Sequence, residues 1–387
     1  MIECESGLYF DYNATTPADP RVVQAMLPYF SEIYGNPANG LHVLGRKAAR
    51  AVENAREQVA SLIGARPGEM VFTSGATESN HLAILGTAEY APPHRSKIIT
   101  CAIEHKAALA PCNRLVGRGF EIVVLPVDSD GVVSLEALEQ ALDDNTFLVS
   151  LQAANNEIGT LQPIADIANM AHRHGALVHT DAAQAVGKIC CLVSEWDVDM
   201  LSFSAHKMYG PKGIGALFLR GGARAIPMRS LLDGGGQEYG LRAGTSNVPA
   251  IVGFAEACRI LEIELDSENE RITGLRDSLE RELRAMLPGV KINGQGALRL
   301  PNTSSLTFPN VEADVLLLNM PDLMMGTGSA CSSGAVEPSH VLVALGLSRS
   351  QAASTARVSL GRFTKEEDIR RAIPLIAQAV KEHTPDA

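Results

Sequence analysis

The chain has 387 residues, 46% of them hydrophobic, with 33 Lys and Arg against 44 Asp and Glu for a net charge of −11. That apolar fraction excludes a disordered chain and fills one large or two ordinary domains. No long basic block interrupts the acidic balance and no stretch approaches about 18 uninterrupted apolar residues, so direct contact with nucleic acid or with a membrane is not expected.

The amino terminus, "MIECESGLYFDYNATTP", has neither a positive n-region nor an apolar h-region. Seven cysteines, at 4, 101, 112, 190, 191, 258 and 331, are odd in number and form no C-x-x-C spacing. The expectation is a cytoplasmic protein in a reducing compartment. All the cysteines but Cys331 read as small buried hydrophobes.

From about residue 45 to 220, short β-branched runs alternate with helical stretches. The strand candidates are "MVFT" at 70–73, "KIIT" at 97–100, "EIVVLPV" at 121–127, "TFLVSLQ" at 146–152, "ALVHT" at 176–180, "VDMLSFS" at 198–204 and "IGALFL" at 214–219. Between them lie amphipathic stretches such as "PIADIANMAHR" at 163–173, with proline at its first helical position. Strand and helix in succession imply an α/β fold, a mostly parallel sheet of seven strands covered by helices.

The polar groups at the strand ends carry the chemistry. In "VFTSGATESN" a strand runs through Ser74 and Gly75 into a helix start, where free amides and the Thr77 hydroxyl make an anion site. Ser74 or Thr77 also reads as an ordinary cap, and the two roles are compatible. "EHKA" and "NNEIG" bring His105, Asn155, Asn156 and Glu157 to two further strand ends. "HTDAAQ" places Asp181 and Gln184 at another, and "SFSAHKMYGPKGIG" follows a strand with Ser204, His206 and Lys207. Alone, Lys207 is a surface lysine and Asp181 a helix cap. Together they are the pair that pyridoxal phosphate requires, an amine for the Schiff base and an acid to keep the pyridinium nitrogen protonated.

His172, His174 and His179 lie near Asp181, but residues two apart on a helix face different ways, so no metal site is expected. "AVGKI" is not a phosphate-binding Walker loop, and G-x-G-x-x-G is absent. After a glycine-rich passage at 231–247 comes a long helical, charge-rich stretch from 248 to about 286. Strand candidates "VKING", "NTSSLTF" and "ARVSL", with helices at 338–346 and 365–383, complete a smaller α+β domain. The expected division is a large domain at 15–255 and a small one made of 1–14 and 256–387. "GTGSACSS" at 326–333, a run of small residues around Cys331, cannot build a core.

These residues resemble the cysteine desulfurases of iron–sulfur cluster assembly and nitrogen fixation, in the class V branch of fold-type I pyridoxal phosphate enzymes. The resemblance rests on "YFDYNATTP" at 9–17, "GNP" with His42 and Gly45, "FTSGATESN" at 72–80, "EHKA" at 104–107 and "NNEIG" at 155–159. It continues through "DAAQAVGK" at 181–188, "SAHKMYGPKGIGAL" at 204–217, "GGGQE" at 234–238 with Gly244 and Thr245, "GSACSS" at 328–333 and "ARVSLGRFT" at 356–364. It implies Lys207 as the Schiff-base lysine, Asp181 on the ring nitrogen, His105 stacked on the ring, and Gln184 and Asn156 at the ring oxygen. Ala76, Thr77, Ser204 and His206 would hold the phosphate, joined by Thr245 from a second subunit of a homodimer.

Arg357 would take the carboxylate of L-cysteine, with Asn156 beside it. Cys331 would attack the substrate sulfur, leaving alanine and a persulfide destined for an acceptor or scaffold protein, with His105 as the candidate acceptor of the Cys331 proton. The chain resembles the group in which the loop around Cys331 is extended and mobile. It departs from common family residues at Gly326 and Thr327 (often Ser-Ser), Ser332, Ala205, Tyr239, Val358 and in "NPANGLH". The rivals sharing the cofactor site are a class V aminotransferase and a selenocysteine or cysteine-sulfinate lyase. A rival of another kind is a non-catalytic sulfur-relay scaffold, which has no need of Lys207, Asp181, His105, Cys331 and Arg357 all at once.

Overall fold

A computed structural model describes residues 7–327 and 338–383. Among them are thirteen strands: β1 (Leu8–Tyr9), β2 (Met70–Thr73), β3 (Lys97–Cys101), β4 (Glu121–Leu125), β5 (Thr146–Gln152), β6 (Leu177–Asp181), β7 (Met200–Ser204), β8 (Gly215–Leu219), β9 (Lys291–Asn293), β10 (Thr303–Thr307), β11 (Leu323–Met324), β12 (Gly326–Thr327) and β13 (Thr355–Ser359).

Seven of these form one sheet in the order β2-β8-β7-β6-β5-β3-β4. Every pair is parallel except those of β8, which runs antiparallel to both β2 and β7. Most strands are buried on both faces, which is why they read as continuous apolar runs rather than alternating ones. The antiparallel β8 follows from its connection. Only ten residues separate Ser204 from Gly215, too few for the helical crossover that a parallel return needs.

The covering helices follow from their apolar stripes. Val43–Leu62 is capped by His42, whose Nδ1 accepts from Gly45 N–H, and it buries Ala48, Val52, Ala55 and Val59 along one face. Helix Ile164–Arg173 starts one residue after Pro163, which stands just before the first turn rather than in it. Helix Val248–Met286 is 39 residues long, and no helix among the described residues is long and apolar enough to cross a membrane.

A second sheet has the order β12-β13-β10-β9, all antiparallel. Its core, including Phe308, Leu306, Val358 and Ile376, is separate from the cores that flank the larger sheet. The chain start joins this second body: β1 pairs in parallel with β11, and Asp11 bridges to Ser359.

The glycine-rich passage is pinned by one buried ion pair. Arg56 donates to both oxygens of Glu238, at 2.7 and 2.8 Å, and Phe72 N–H donates to the same carboxylate at 2.8 Å. The Arg56 guanidinium also lies 4.7 Å from the Phe72 ring and 5.6 Å from the Tyr239 ring. These contacts hold Glu238 and Tyr239 at φ +46° and +59°, a left-handed backbone that non-glycine residues rarely adopt. Removing one partner would strand the other charge inside the protein. Glu238→Ala is therefore expected to cost about 3–5 kcal/mol in urea unfolding, and a loss below about 1 kcal/mol would show that the passage is held by something else.

Candidate active site

A cavity of about 1100 Å³ opens at the carboxyl edge of the seven-stranded sheet. Adjacent strands β5, β6 and β7 deliver their last residues, Gln152, Asp181 and Ser204, to its wall. Lys207 comes three residues after Ser204 in a short 3-10 turn, and its Nζ donates to the backbone carbonyls of Asn13 at 2.6 Å and Ala14 at 2.8 Å. Burial, and after it the nearby Arg357, pull this amine down to about 8 against the opposing charges of Asp181 and Asp11. A lysine so placed reaches its neutral, reactive form in mildly alkaline solution.

Both oxygens of Asp181 are held: Oδ2 accepts from Asn80 Nδ2 at 2.6 Å and Oδ1 from Ala183 N–H at 3.0 Å. Glu104 lies fully buried close by, and burial pushes its carboxyl well up, helped by the charge of Asp181. A neutral Glu104 spares the site a second buried negative charge.

Beside Ser204 the lining continues with the start of helix Ala76–His81, which runs on through a π turn at Leu82–Gly86. No side chain caps it, so its first N–H groups are without an acceptor within the helix. Gly75 before it has φ +155°, and a Cβ on the facing Gly215 would come within 2.6 Å of the Gly75 Cα, so both positions need glycine. Ser204 and His206 complete this wall. The His206 Nδ1 lies 3.1 Å from Thr15 Oγ1, and burial takes its imidazole down to about 4, keeping it neutral.

His105 caps helix Lys106–Val116, its Nδ1 accepting from Ala107 N–H at 3.1 Å. Burial lowers its proton affinity, so the ring is neutral near pH 7, and with Nδ1 engaged as an acceptor the proton sits on Nε2. The ring is thereby a hydrogen-bond donor at Nε2. The acceptor role expected of it for Cys331 would require breaking the bond to Ala107.

Arg357 lies on β13 opposite Gly326 of β12. Its Nη1 donates to the Asn156 carbonyl at 3.1 Å and its Nη2 to Asp11 Oδ1 at 2.5 Å, while its buried Nε has no partner among the described residues. An unpartnered buried guanidinium N–H beside a cavity is suited to an incoming carboxylate.

Of the residues expected from the sequence, Ala76, Thr77, His105, Asn156, Asp181, Gln184, Ser204, His206, Lys207 and Arg357 all line this cavity. Thr245 does not; it is exposed on the 231–247 passage. Cys331 lies outside the described residues, although Thr327 and Pro338 on either side of that segment both line the cavity. The histidines near Asp181 go elsewhere. His172 pairs with Asp199 at 2.9 Å, and His179 sits buried between Ser150 and Ser202. Asn80, Asp11, Asn13 and Lys188 escaped the sequence reading, although each stands inside a motif already noted. For Asn80 a signal existed, since it lies one helical turn beyond Ala76.

The model of the class-V aminotransferase family matches residues 8–372. The chain belongs to that family. Human cysteine desulfurase is 44% identical over 374 residues, covering 97% of this class-V chain and 82% of the human protein. Among solved structures, a NifS-like protein superposes with a TM-score of 0.90 at 40% identity, covering 97% of this chain and all of that one. The structure of SspA in complex with cysteine does so with a TM-score of 0.80 at 39% identity, covering 91% and 98% of the two chains.

Gly326 gives this class-V site a simple test. A Cβ there would lie 2.8 Å from Arg357 Nη2 and 3.0 Å from Asp11 Oδ1, forcing the guanidinium aside. Gly326→Ala is expected to weaken binding of a monocarboxylic amino acid about tenfold by calorimetry, and unchanged affinity would show that Arg357 and Asp11 accommodate the Cβ, as a serine common there in the family would require.

Proposed function

We propose that this chain is a pyridoxal phosphate dependent cysteine desulfurase that converts L-cysteine to L-alanine and leaves the sulfur as a persulfide on Cys331 for an acceptor or scaffold protein. The observation that carries the reading is the convergence, in one cavity, of a desolvated lysine, a carboxylate held at both oxygens and an arginine whose Nε has no partner among the described residues. The names of the relatives, cysteine desulfurase and NifS-like protein, point the same way.

The donor set fits pyridoxal phosphate. Lys207 would hold its aldehyde carbon, Asp181 its ring nitrogen, His105 the ring face, and Gln184 and Asn156 the ring oxygen. The uncapped helix start at Ala76 and Thr77, with Ser204 and His206, suits a phosphate, and Thr245 of the partner subunit would complete it. When bound, the cofactor supplies an electron sink for the negative charge that develops at the substrate Cα.

The chain's own groups do the rest. Arg357 binds the substrate carboxylate through its free Nε edge. Lys207 accepts the Cα proton at Nζ, and the neutral His105 offers its Nε2–H as a hydrogen-bond donor. The Cys331 thiolate attacks the substrate sulfur: the S–S bond forms as the Cβ–S bond breaks, the carbon skeleton takes up the proton lost by the substrate thiol and recovers the one held on Lys207, and it departs as alanine while the persulfide stays on Cys331. A thiol with an ordinary value of about 8.5 and a lysine near about 8 both favour mildly alkaline solution. Turnover is expected to fall as pH drops below about 8, because Lys207 then keeps its proton.

The same reading includes a homodimer and a cytoplasmic setting. Phe30, Tyr34, Leu41 and Val43 are largely exposed, with Leu41 at 93%, which supports a partner surface in that stretch. The cysteines among the described residues are all free, as a reducing compartment would keep them. The separate cores around the two sheets support a division into two bodies, 15–255 and 1–14 with 256–387, although the larger core also draws in Cys258, Leu261, Leu300 and Val341 from beyond that boundary.

The decisive variant is Cys331→Ala, followed by mass spectrometry for persulfide and an assay for alanine. Persulfide and cysteine-dependent alanine formation are expected to vanish, while the borohydride-trapped adduct on Lys207 remains. Retained cysteine cleavage would overturn the Cys331 step and favour a lyase that needs no attacking thiol. A protein with no trapped adduct on Lys207 would favour a scaffold.

A further inference from the structure

Two buried polar side chains at the back of the cavity have no role in the chemistry above. Asn13 is 0% exposed and uses every hydrogen-bonding site an asparagine has. Its Oδ1 accepts from Lys188 Nζ at 2.7 Å and Asn302 Nδ2 at 3.0 Å, and its Nδ2 donates to the Asn156 carbonyl at 3.1 Å and Thr303 Oγ1 at 2.8 Å. Its N–H donates to Ser359 Oγ at 2.9 Å, and its carbonyl accepts from Gln184 Nε2 at 2.9 Å and Lys207 Nζ at 2.6 Å.

Lys188 is buried too, and donates to Gln184 Oε1 as well as to Asn13. Both partners are neutral amide oxygens, and burial pushes its amine well below the ordinary lysine value. A buried lysine with only such partners persists as a neutral donor, because an ammonium there would be an uncompensated charge. Its position gives it one evident effect: it clamps the side-chain oxygens of Asn13 and Gln184 together.

We propose that Asn13 and Lys188 are positioning residues that hold the Lys207 amine and the Gln184 amide in register with Arg357. The link to Arg357 runs through Asn156, whose carbonyl receives both Arg357 Nη1 and Asn13 Nδ2. One residue thus links the two: the Asn13 side chain anchors to the Asn156 carbonyl beside Arg357, and its backbone carbonyl, fixed by that anchorage, receives the amine of the larger sheet. The proposal deepens the reading of this cavity as a pyridoxal phosphate site and rests on it.

The sign of the effect follows from the acceptors. Carbonyl oxygens bind an ammonium more strongly than an amine, so the Asn13 and Ala14 carbonyls favour the protonated lysine. Losing their alignment moves its deprotonation to lower pH. The other groups facing Lys207 are Arg357, Asp11, Asp181, Lys188, His105 and His206, and of these only Lys188 is altered in the test.

The experiment compares Asn13→Ser and Lys188→Met with Glu280→Gln, a control that alters the buried pair to Arg299 outside the cavity lining. Lys207 is labelled with acetic anhydride across pH before loading with pyridoxal phosphate and read by mass spectrometry. Loaded protein is then trapped with borohydride, and kcat and KM for L-cysteine are measured. Wild type and control are expected to label with a midpoint near about 8. Both variants are expected to label with a midpoint lower by about half a pH unit, roughly threefold in the equilibrium, and to lose about tenfold in kcat with a smaller change in KM.

Variants that label and turn over like the control would overturn the proposal. If Asn13→Ser yields no folded protein, Lys188→Met decides it by the same midpoint. Absence of a trapped Lys207 adduct in wild type would instead overturn the cofactor reading, while the labelling midpoints still test the network.

Discussion

The parallel pairing of β5, β6 and β7 is the constraint on which the site depends. Gln152 lies in register with Asp181, and Asp181 with Ser202, two residues before the end of β7. A slip of one residue in β6 would turn Asp181 to the other face of the sheet and send its neighbour into the cavity. Fully buried strands forbid such a slip, so the core that surrounds the sheet also places the carboxylate. The antiparallel β8 then brings Gly215 against Gly75, tying the helix start to the strand that leads to Lys207.

The electrostatics of the cavity run against those of the chain. A protein of net charge −11 gathers Lys106, Lys207, Lys212 and Arg357 around one opening. Such a pocket concentrates anions while the surface repels them. Arg357 has two effects there, since the charge that would bind a carboxylate also helps lower the proton affinity of Lys207. A carboxylate seated on Arg357 would cancel part of that repulsion, and the lysine would become a stronger base once a substrate is present.

Much of this was legible in the sequence because it is local. The seven strands are apolar runs, and the residues that end them fall in short motifs, so Asp181, Ser204, His206 and Lys207 could be named together. The family's own pattern extended that to Arg357 and Gln184. What could not be read was long-range complementarity. Asp11 meets Arg357 and Asn13 meets Thr303 across hundreds of residues, and no periodicity marks such pairs. The tautomer of His105 was hidden for a different reason: it depends on a backbone N–H two residues on, which only the cap geometry reveals. Thr245 was named as a phosphate ligand from another subunit, and within one chain it remains exposed.

The long helix Val248–Met286 has a mechanical consequence. At about 1.5 Å per residue its 39 residues make a beam of roughly 58 Å. Its first half, with Ile251, Phe254, Cys258 and Leu261, is built into the core of the larger sheet, and its second half, with Ile272, Leu275, Leu279 and Leu283, into that of the smaller. Melting either body would expose half of a continuous rod, so the helix couples the unfolding of the two cores.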